Sequence, residues 1–330
     1  MRLLEKLTQT VGVSGSEDAV FKIIKQEINP DVDDIHTDAA GNFIAHKNGD
    51  GKKILVCAHA DEVGLVITKI NDNGTLCFSP LGRVEPIVCL NHRVIFQNGL
   101  SGSVIENSKI KSLDDINTDN MYIDIGASSY NEASEVVKPG DACVVYGKFI
   151  VQRTTVTSKA LDNRIGTYVM IEAIKKISDS NQDLYFAFTS QSELCNKNAM
   201  CAAYNINPDI IICIDVTTSN DTSGSKKGSV KLGGGPAIKI MDKSVITHSG
   251  LRNAIVRCAK EHNISYQFEV MSSGGTDAGS MQTLKGGFAA AVVSVPLRYV
   301  HTPCETADIR DIEACIELIT EFCKKDFIFV

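Results

Sequence analysis

In this 330-residue sequence, the residues best placed to do chemistry follow apolar, strand-like runs. His59 and Asp61 follow ILVCA, and Glu193 follows LYFAFTS. Asp215 closes IIICID, and His301 comes after AAAVVSV and a short loop. Asp162 stands just ahead of a helix-like segment in SKALDNRIG. In open α/β sheets ligands gather at the carboxyl ends of the strands, so two histidines and three or four carboxylates should converge there. Such nitrogen and oxygen donors suit zinc, cobalt or manganese, and one carboxylate can bridge two ions. Taken singly, none of these residues is decisive. A His-x-Asp pair is more often a structural detail, and Asp215 alone would serve equally as a helix cap or turn former. His36, His46, His92, His248 and His262 lie in strand or helix patterns with no partner cluster, and read as surface or packed residues.

These candidates need a scaffold, and its periodicity is legible. Ser14 and Glu17 have the spacing of a capping box, followed by an apolar stripe at Val20, Phe21, Ile24 and Ile28. IHTDAAGNFIAHK and KKILVCAHA read as strands joined by NGDG, the second apolar enough for a strand buried on both faces. From about residue 66 to 156 the texture changes to short β segments between turns: LVITKI, TLCFSP, HRVIFQ, GSVIE, MYIDIG and ACVVYG. After residue 158, strands and helices alternate again. The expected fold is α/β: a mixed, mostly parallel sheet flanked by helices, with an inserted all-β barrel. Residues 1–65 and 157–330 would form the α/β domain, and 66–156 the insert.

Composition excludes several classes. The net charge of −7 argues against nucleic-acid binding. No apolar run reaches the ~18 residues of a membrane span. The start, MRLLEKLTQT, is too interrupted by charge for a secretory signal. Eleven scattered cysteines with no C-x-x-C pair read as buried, reduced thiols of a cytoplasmic protein, not as a cysteine zinc site.

The runs AHADEVG, SKALDNRIG, CIDVT, GGGPAI, SGGTDAGSMQ and VPLRYVHTPCETADIRDIE occur in the order found in the glutamyl and deblocking aminopeptidases, co-catalytic metallopeptidases that the chain resembles over nearly its whole length. YIDIGASSYNEASE and VKPGDACV resemble that family's dimerisation domain. The resemblance implies an aminopeptidase with two divalent metal ions per chain, releasing N-terminal residues from short peptides. His59 would bind one metal and Asp61 would orient it. Asp162 would bridge the pair, Glu193 and His301 would complete one site, and Asp215 the other. The resemblance also implies a homo-oligomer: dimers joined through the insert, six of them forming a hollow tetrahedral dodecamer whose active sites face inward.

One position departs from the family pattern. The family's Thr-x-Gln-Glu-Glu reads here Thr189-Ser190-Gln191-Ser192-Glu193, which puts Ser192 at the position of the general base and keeps Glu193 as ligand. A one-residue shift of this loop would instead make Glu193 the base and remove a ligand. The family's usual Asp-Asp is here Asp162-Asn163. A hydroxyl cannot collect a proton near neutral pH as a carboxylate can, and general-base help is worth ~10²–10⁴-fold in rate. Three readings follow: a weak or specialised aminopeptidase, a non-catalytic metal-binding homologue, or a different hydrolase on the same scaffold.

Overall fold

The computed structural model describes residues 1–107, 112–178, 180–225 and 228–325. Residues 108–111, within the expected insert 66–156, lie outside the described residues. The first strands are β1 (Asp34–Thr37), β2 (Phe43–Lys47) and β3 (Lys53–His59). A second group follows: β4 (Gly64–Ile70), β5 (Leu76–Leu81), β6 (Arg93–Phe96), β7 (Ser101–Glu106), β8 (Met121–Asp124) and β9 (Ala142–Val145). The chain then forms β10 (Ile150–Gln152), β11 (Thr155–Ser158), β12 (Asp183–Thr189) and β13 (Ile210–Thr218). It ends with β14 (Ala237–Met241), β15 (Gln267–Val270), β16 (Ala289–Arg298) and β17 (Glu305–Asp308).

Strands β4 to β9 close into a six-stranded barrel around Leu65, Leu76, Val94, Val104 and Ile123, all fully buried. The other eleven strands make one sheet, in the order β1-β2-β12-β3-β13-β16-β17-β11-β10, with β14 also paired to β16 and β15 paired to β14. The mixed sheet and closed barrel are the architecture expected from the periodicity. The chain re-enters the large sheet at Ile150, through β10 and β11. The four central strands β12, β3, β13 and β16 run parallel, so their carboxyl ends share one edge. Their sequences are nearly continuous apolar runs because helices cover both faces. On one face pack the helices Arg2–Gln9, Asp18–Ile28, Leu161–Lys176, Ser249–Glu261 and Ile309–Lys324. On the other lie the helices Asn198–Ile206 and Asp277–Met281, whose contacts are mostly alanines.

Two local expectations need correction. The capping box of Ser14 and Glu17 does not form: the helix begins at Asp18, and Glu17 in the cap position makes no side-chain cap bond. The Ser14 hydroxyl goes to the Asp61 carboxylate at 2.6 Å, and Glu17 accepts the amides of Gly15 and Gln191. Both side chains are buried, and buried carboxylates require donors more urgently than a helix end requires a cap. Asp215 does not close its strand either. β13 runs on to Thr218 because its ladder with β16 continues from Ile210 to Thr218, whereas its ladder with β3 stops at Cys213 opposite Cys57. The sheet therefore parts between β3 and β13, and His59 and Asp215 sit where it parts.

Candidate metal centre

Each candidate side chain reaches the parallel edge from a different element. His59 is the last residue of β3, and Asp61 follows two residues on, fully buried. The two imidazole nitrogens face different partners. Nδ1 lies 3.3 Å from Asp61 Oδ1, while Nε2 lies 3.3 Å from Asp162 Oδ1 and 3.7 Å from Asp215 Oδ1. His301 Nε2 lies 3.2 Å from Asp162 Oδ2 and 3.4 Å from Glu193 Oε2. The two oxygens of Asp162 thus face one histidine each. His59, Asp162 and Asp215 form one trio of donors, and Asp162, Glu193 and His301 a second, with ligand atoms inside each trio within 4.8 Å of one another.

The backbone around these residues is held by buried carboxylates. Asp61 accepts the Ser14 hydroxyl at 2.6 Å and the amides of Ser192 and Glu193 at 3.1 and 3.0 Å. One side chain therefore orients the His59 ring and fixes the turn after β12, as carboxylates behind ligating histidines commonly do. Glu305 accepts the Asp162 amide at 3.1 Å and the His301 amide at 2.7 Å. Ala160, Gln191 and His301 have φ of +56°, +57° and +62°, left-handed conformations that non-glycine residues seldom adopt. Such residues persist where surrounding structure over-determines the backbone, and here His301 is itself a donor while Ala160 and Gln191 each stand two residues before one. Asn163, joined to Asp162 by a cis peptide, donates to the Ile214 carbonyl at 2.9 Å and accepts the Gly166 amide at 3.0 Å. It thereby fastens the start of the helix Leu161–Lys176 to β13.

The electrostatics are those of a site short of positive charge. Burial alone would lower the pKa of His301, but its bonds to Asp162 and Glu193 push it up to about 11. His59 is likewise lowered by burial but raised well above its ordinary value by Asp162 and Asp61. Burial pushes Asp215 up to about 8, with the His59 charge opposing and the Asp162 charge adding. Burial and the Asp162 charge raise Glu193. Burial would raise Asp162 and Asp61 too, but the two histidines hold Asp162, and His59 with the Ser14 hydroxyl holds Asp61, below the usual range. Carboxylates that crowd against one another and trap protons on their histidines are the arrangement that divalent cations relieve. The donor set, two imidazoles with carboxylate oxygens, fits such ions.

Sequence patterns gave no role to several residues that matter here. Glu305 and Asp277 stand inside quoted motifs, but nothing in their type or spacing marks them. Asp277 accepts Thr189 Oγ1 at 2.6 Å and Ser192 Oγ at 2.8 Å. Below the site, Glu62 accepts Lys159 Nζ at 2.8 Å, Arg164 Nη2 at 3.2 Å and the Gly12 amide at 3.1 Å. Arg164, fully buried, also donates to the carbonyls of Leu7, Thr10, Gly12 and Ala60, tying the N-terminal helix to the floor of the site. A groove of roughly 930 Å³ opens over the donors, lined by residues of the barrel edge (Pro80, Gly82, Arg83 and Glu85) and of the large domain.

A parallel sheet edge carrying histidines and carboxylates in two overlapping trios, beneath an open groove, defines the class as a metal-dependent hydrolase. Comparison with known proteins narrows this. The family model for M42 glutamyl aminopeptidases matches residues 41–318. A relative from Acetivibrio thermocellus is 45% identical over 97% of both chains. The lysyl aminopeptidase of Pyrococcus furiosus is 32% identical over 96% of this chain and 94% of its own. The TET1 peptidase of Pyrococcus horikoshii, which can assemble into a tetrahedron or a large octahedral shell, superposes with a TM-score of 0.87 at 34% identity, covering 98% of each chain. This chain belongs to the M42 glutamyl aminopeptidase family. It is an aminopeptidase, and the family's chemistry depends on divalent metal ions. No helix among the described residues is long and apolar enough to cross a membrane.

Proposed function

We propose that this aminopeptidase binds two divalent ions, zinc, cobalt or manganese, and releases N-terminal residues from short peptides at a rate limited by Ser192. The observation that carries the reading is Asp162, one oxygen toward each histidine. In this reading Asp162 is the shared ligand, His59 and Asp215 complete one site, and Glu193 and His301 the other. The ions, when bound, supply a polarised carbonyl and a water of lowered pKa. The chain orients its ligands through Asp61 and Glu305 and places Ser192 beside them in the groove. The Glu193 carboxylate lies 3.4 Å from His301 Nε2 within the second trio, while the Ser192 hydroxyl turns to Asp277, which supports the register that puts a hydroxyl at the base position and a carboxylate at the ligand.

The barrel is the surface through which copies associate, as dimers and then as a dodecamer. Ile87, Tyr130 and Val136 are about half exposed on it, at 57%, 49% and 46%. Association through the barrel would cover these apolar groups. Eleven free cysteines suit a reducing, cytoplasmic setting. The experiment that tests the catalytic reading is hydrolysis of aminoacyl-anilides by the cobalt- or zinc-loaded protein and its Ser192→Glu variant. Restoring a carboxylate should raise kcat by one or more orders of magnitude, within the ~10²–10⁴ span of general-base help, with metal content unchanged. An unchanged or lower kcat removes Ser192 as the limiting feature.

A further inference from the structure

Asp277 stands behind the donor trios, on the first turn of the helix Asp277–Met281, and is 2% exposed. It is bound by two hydroxyls from the turn that delivers Glu193: Thr189 at 2.6 Å on one oxygen and Ser192 at 2.8 Å on the other. Tying that turn to the helix does not require a carboxylate. An asparagine joins two hydroxyls of this kind with less desolvation cost, since burying a charge is more expensive than burying an amide. What the carboxylate adds is affinity for a proton. Ser192 Oγ donates its hydrogen to Asp277 and receives Asn196 Nδ2 only at 3.4 Å, so a hydroxyl with two lone pairs retains acceptor capacity. Ser192 lines the groove together with His59, Glu193, Asp215 and His301.

We propose that Asp277, acting through the Ser192 hydroxyl, is the proton acceptor that this chain uses in place of a carboxylate at position 192. The proposal rests on the reading that Ser192 holds the base position. As water adds to the peptide carbonyl carbon, one of its protons passes to Ser192 Oγ while the Ser192 proton moves to Asp277 Oδ1. The C–N bond then breaks, and the proton returns by the same route to the departing amine nitrogen. The second water hydrogen leaves with the carboxyl product. Oxygen is gained, nitrogen is lost, and the chain ends each turnover as it began. Burial, the largest influence, raises the Asp277 pKa, with His59 and the two hydroxyls opposing, which suits the carboxyl to hold a proton briefly.

The test uses the metal-loaded full chain with an aminoacyl-anilide. Asp277→Asn and Ser192→Ala should each lower kcat by ~10²-fold or more, and the double variant no further, because the two act as a unit. Metal content should stay at the wild-type value. The acid limb of the kcat pH profile should vanish in Asp277→Asn. In the metal-free protein, difference infrared spectra against Asp277→Asn should show one protonated-carboxyl band that titrates above the ordinary aspartate range. Thr189→Val removes a hydroxyl that favours the ionised form, so it should move the acid limb to higher pH. That variant decides the matter if Asp277→Asn does not fold, and an unmoved limb overturns the relay. Wild-type kcat and pH profile in Asp277→Asn overturn it as well. If Ser192→Glu gains activity while Asp277→Asn is silent, the Ser192 reading survives and the relay falls. If Ser192→Glu and Ser192→Ala are both silent, both fall.

Discussion

Replacing Glu305 by glutamine tests whether one buried carboxylate holds two candidate ligands in place. Its two oxygens take the Asp162 amide at 3.1 Å and the His301 amide at 2.7 Å, and the residue is 2% exposed. Glutamine has nearly the same shape, but one end becomes an NH₂ donor facing an N–H donor. One amide is then buried without an acceptor, at about 1–3 kcal/mol. The other keeps its bond but loses charge assistance, roughly half the strength of such a bond. Together these give about 2–4 kcal/mol in the metal-loaded state. Burial, reinforced by the Asp162 charge, raises the Glu305 pKa in the metal-free protein, which narrows its difference from a neutral glutamine there and makes substitution milder. Bound cations would favour the ionised carboxylate and restore the full effect. The expected result is therefore a split. Metal affinity, measured by competition with a chromophoric chelator, falls by ~10–100-fold, the range for outer partners of metal ligands. The urea midpoint of the metal-free protein moves much less. Metal affinity within twofold of wild type would refute the argument, and so would an equal loss of stability in both states.

Three further outcomes follow from the same geometry. Asp162→Asn and His301→Ala should each bind less metal after reconstitution, and wild-type metal content in both would dismiss the two-trio assignment. Ligation needs neutral imidazole, whereas His301 holds its proton up to about 11 and His59 is raised as well. Metal binding at pH 7 should thus release protons and strengthen as pH rises; calorimetric heats that do not vary with the ionisation heat of the buffer would contradict this. Arg164→Ala removes one of the two cations on the buried Glu62 carboxylate, leaving it Lys159 and the Gly12 amide, and orphans several carbonyls. Breaking such a buried pair should destabilise the chain by about 3–5 kcal/mol in urea unfolding, and a change below 1 kcal/mol would show the network to be dispensable.

The alternation of apolar runs determined a great deal in this chain. Near-continuous apolar sequences such as ILVCA and IIICI belong to strands covered on both faces, and β3 and β13 lie at the centre of the sheet for that reason. The short segments between turns, from LVITKI to ACVVYG, lack helical period and form the barrel strands. The polar residues after those runs reach one sheet edge because parallel strands end together. What sequence spacing did not determine is which buried carboxylate serves which donor. Ser14 and Glu17 had the spacing of a cap, yet Ser14 bonds Asp61, 47 residues away, and Glu17 bonds the Gln191 amide, 174 residues away. Glu305 and Asp277 gained their roles only when the Asp162 and His301 amides and the Ser192 hydroxyl came within bonding distance. Local spacing encodes periodicity and turns, whose interactions are between near neighbours. The partners of a buried charge come from distant segments, and only the packed tertiary structure decides which donors remain to satisfy it.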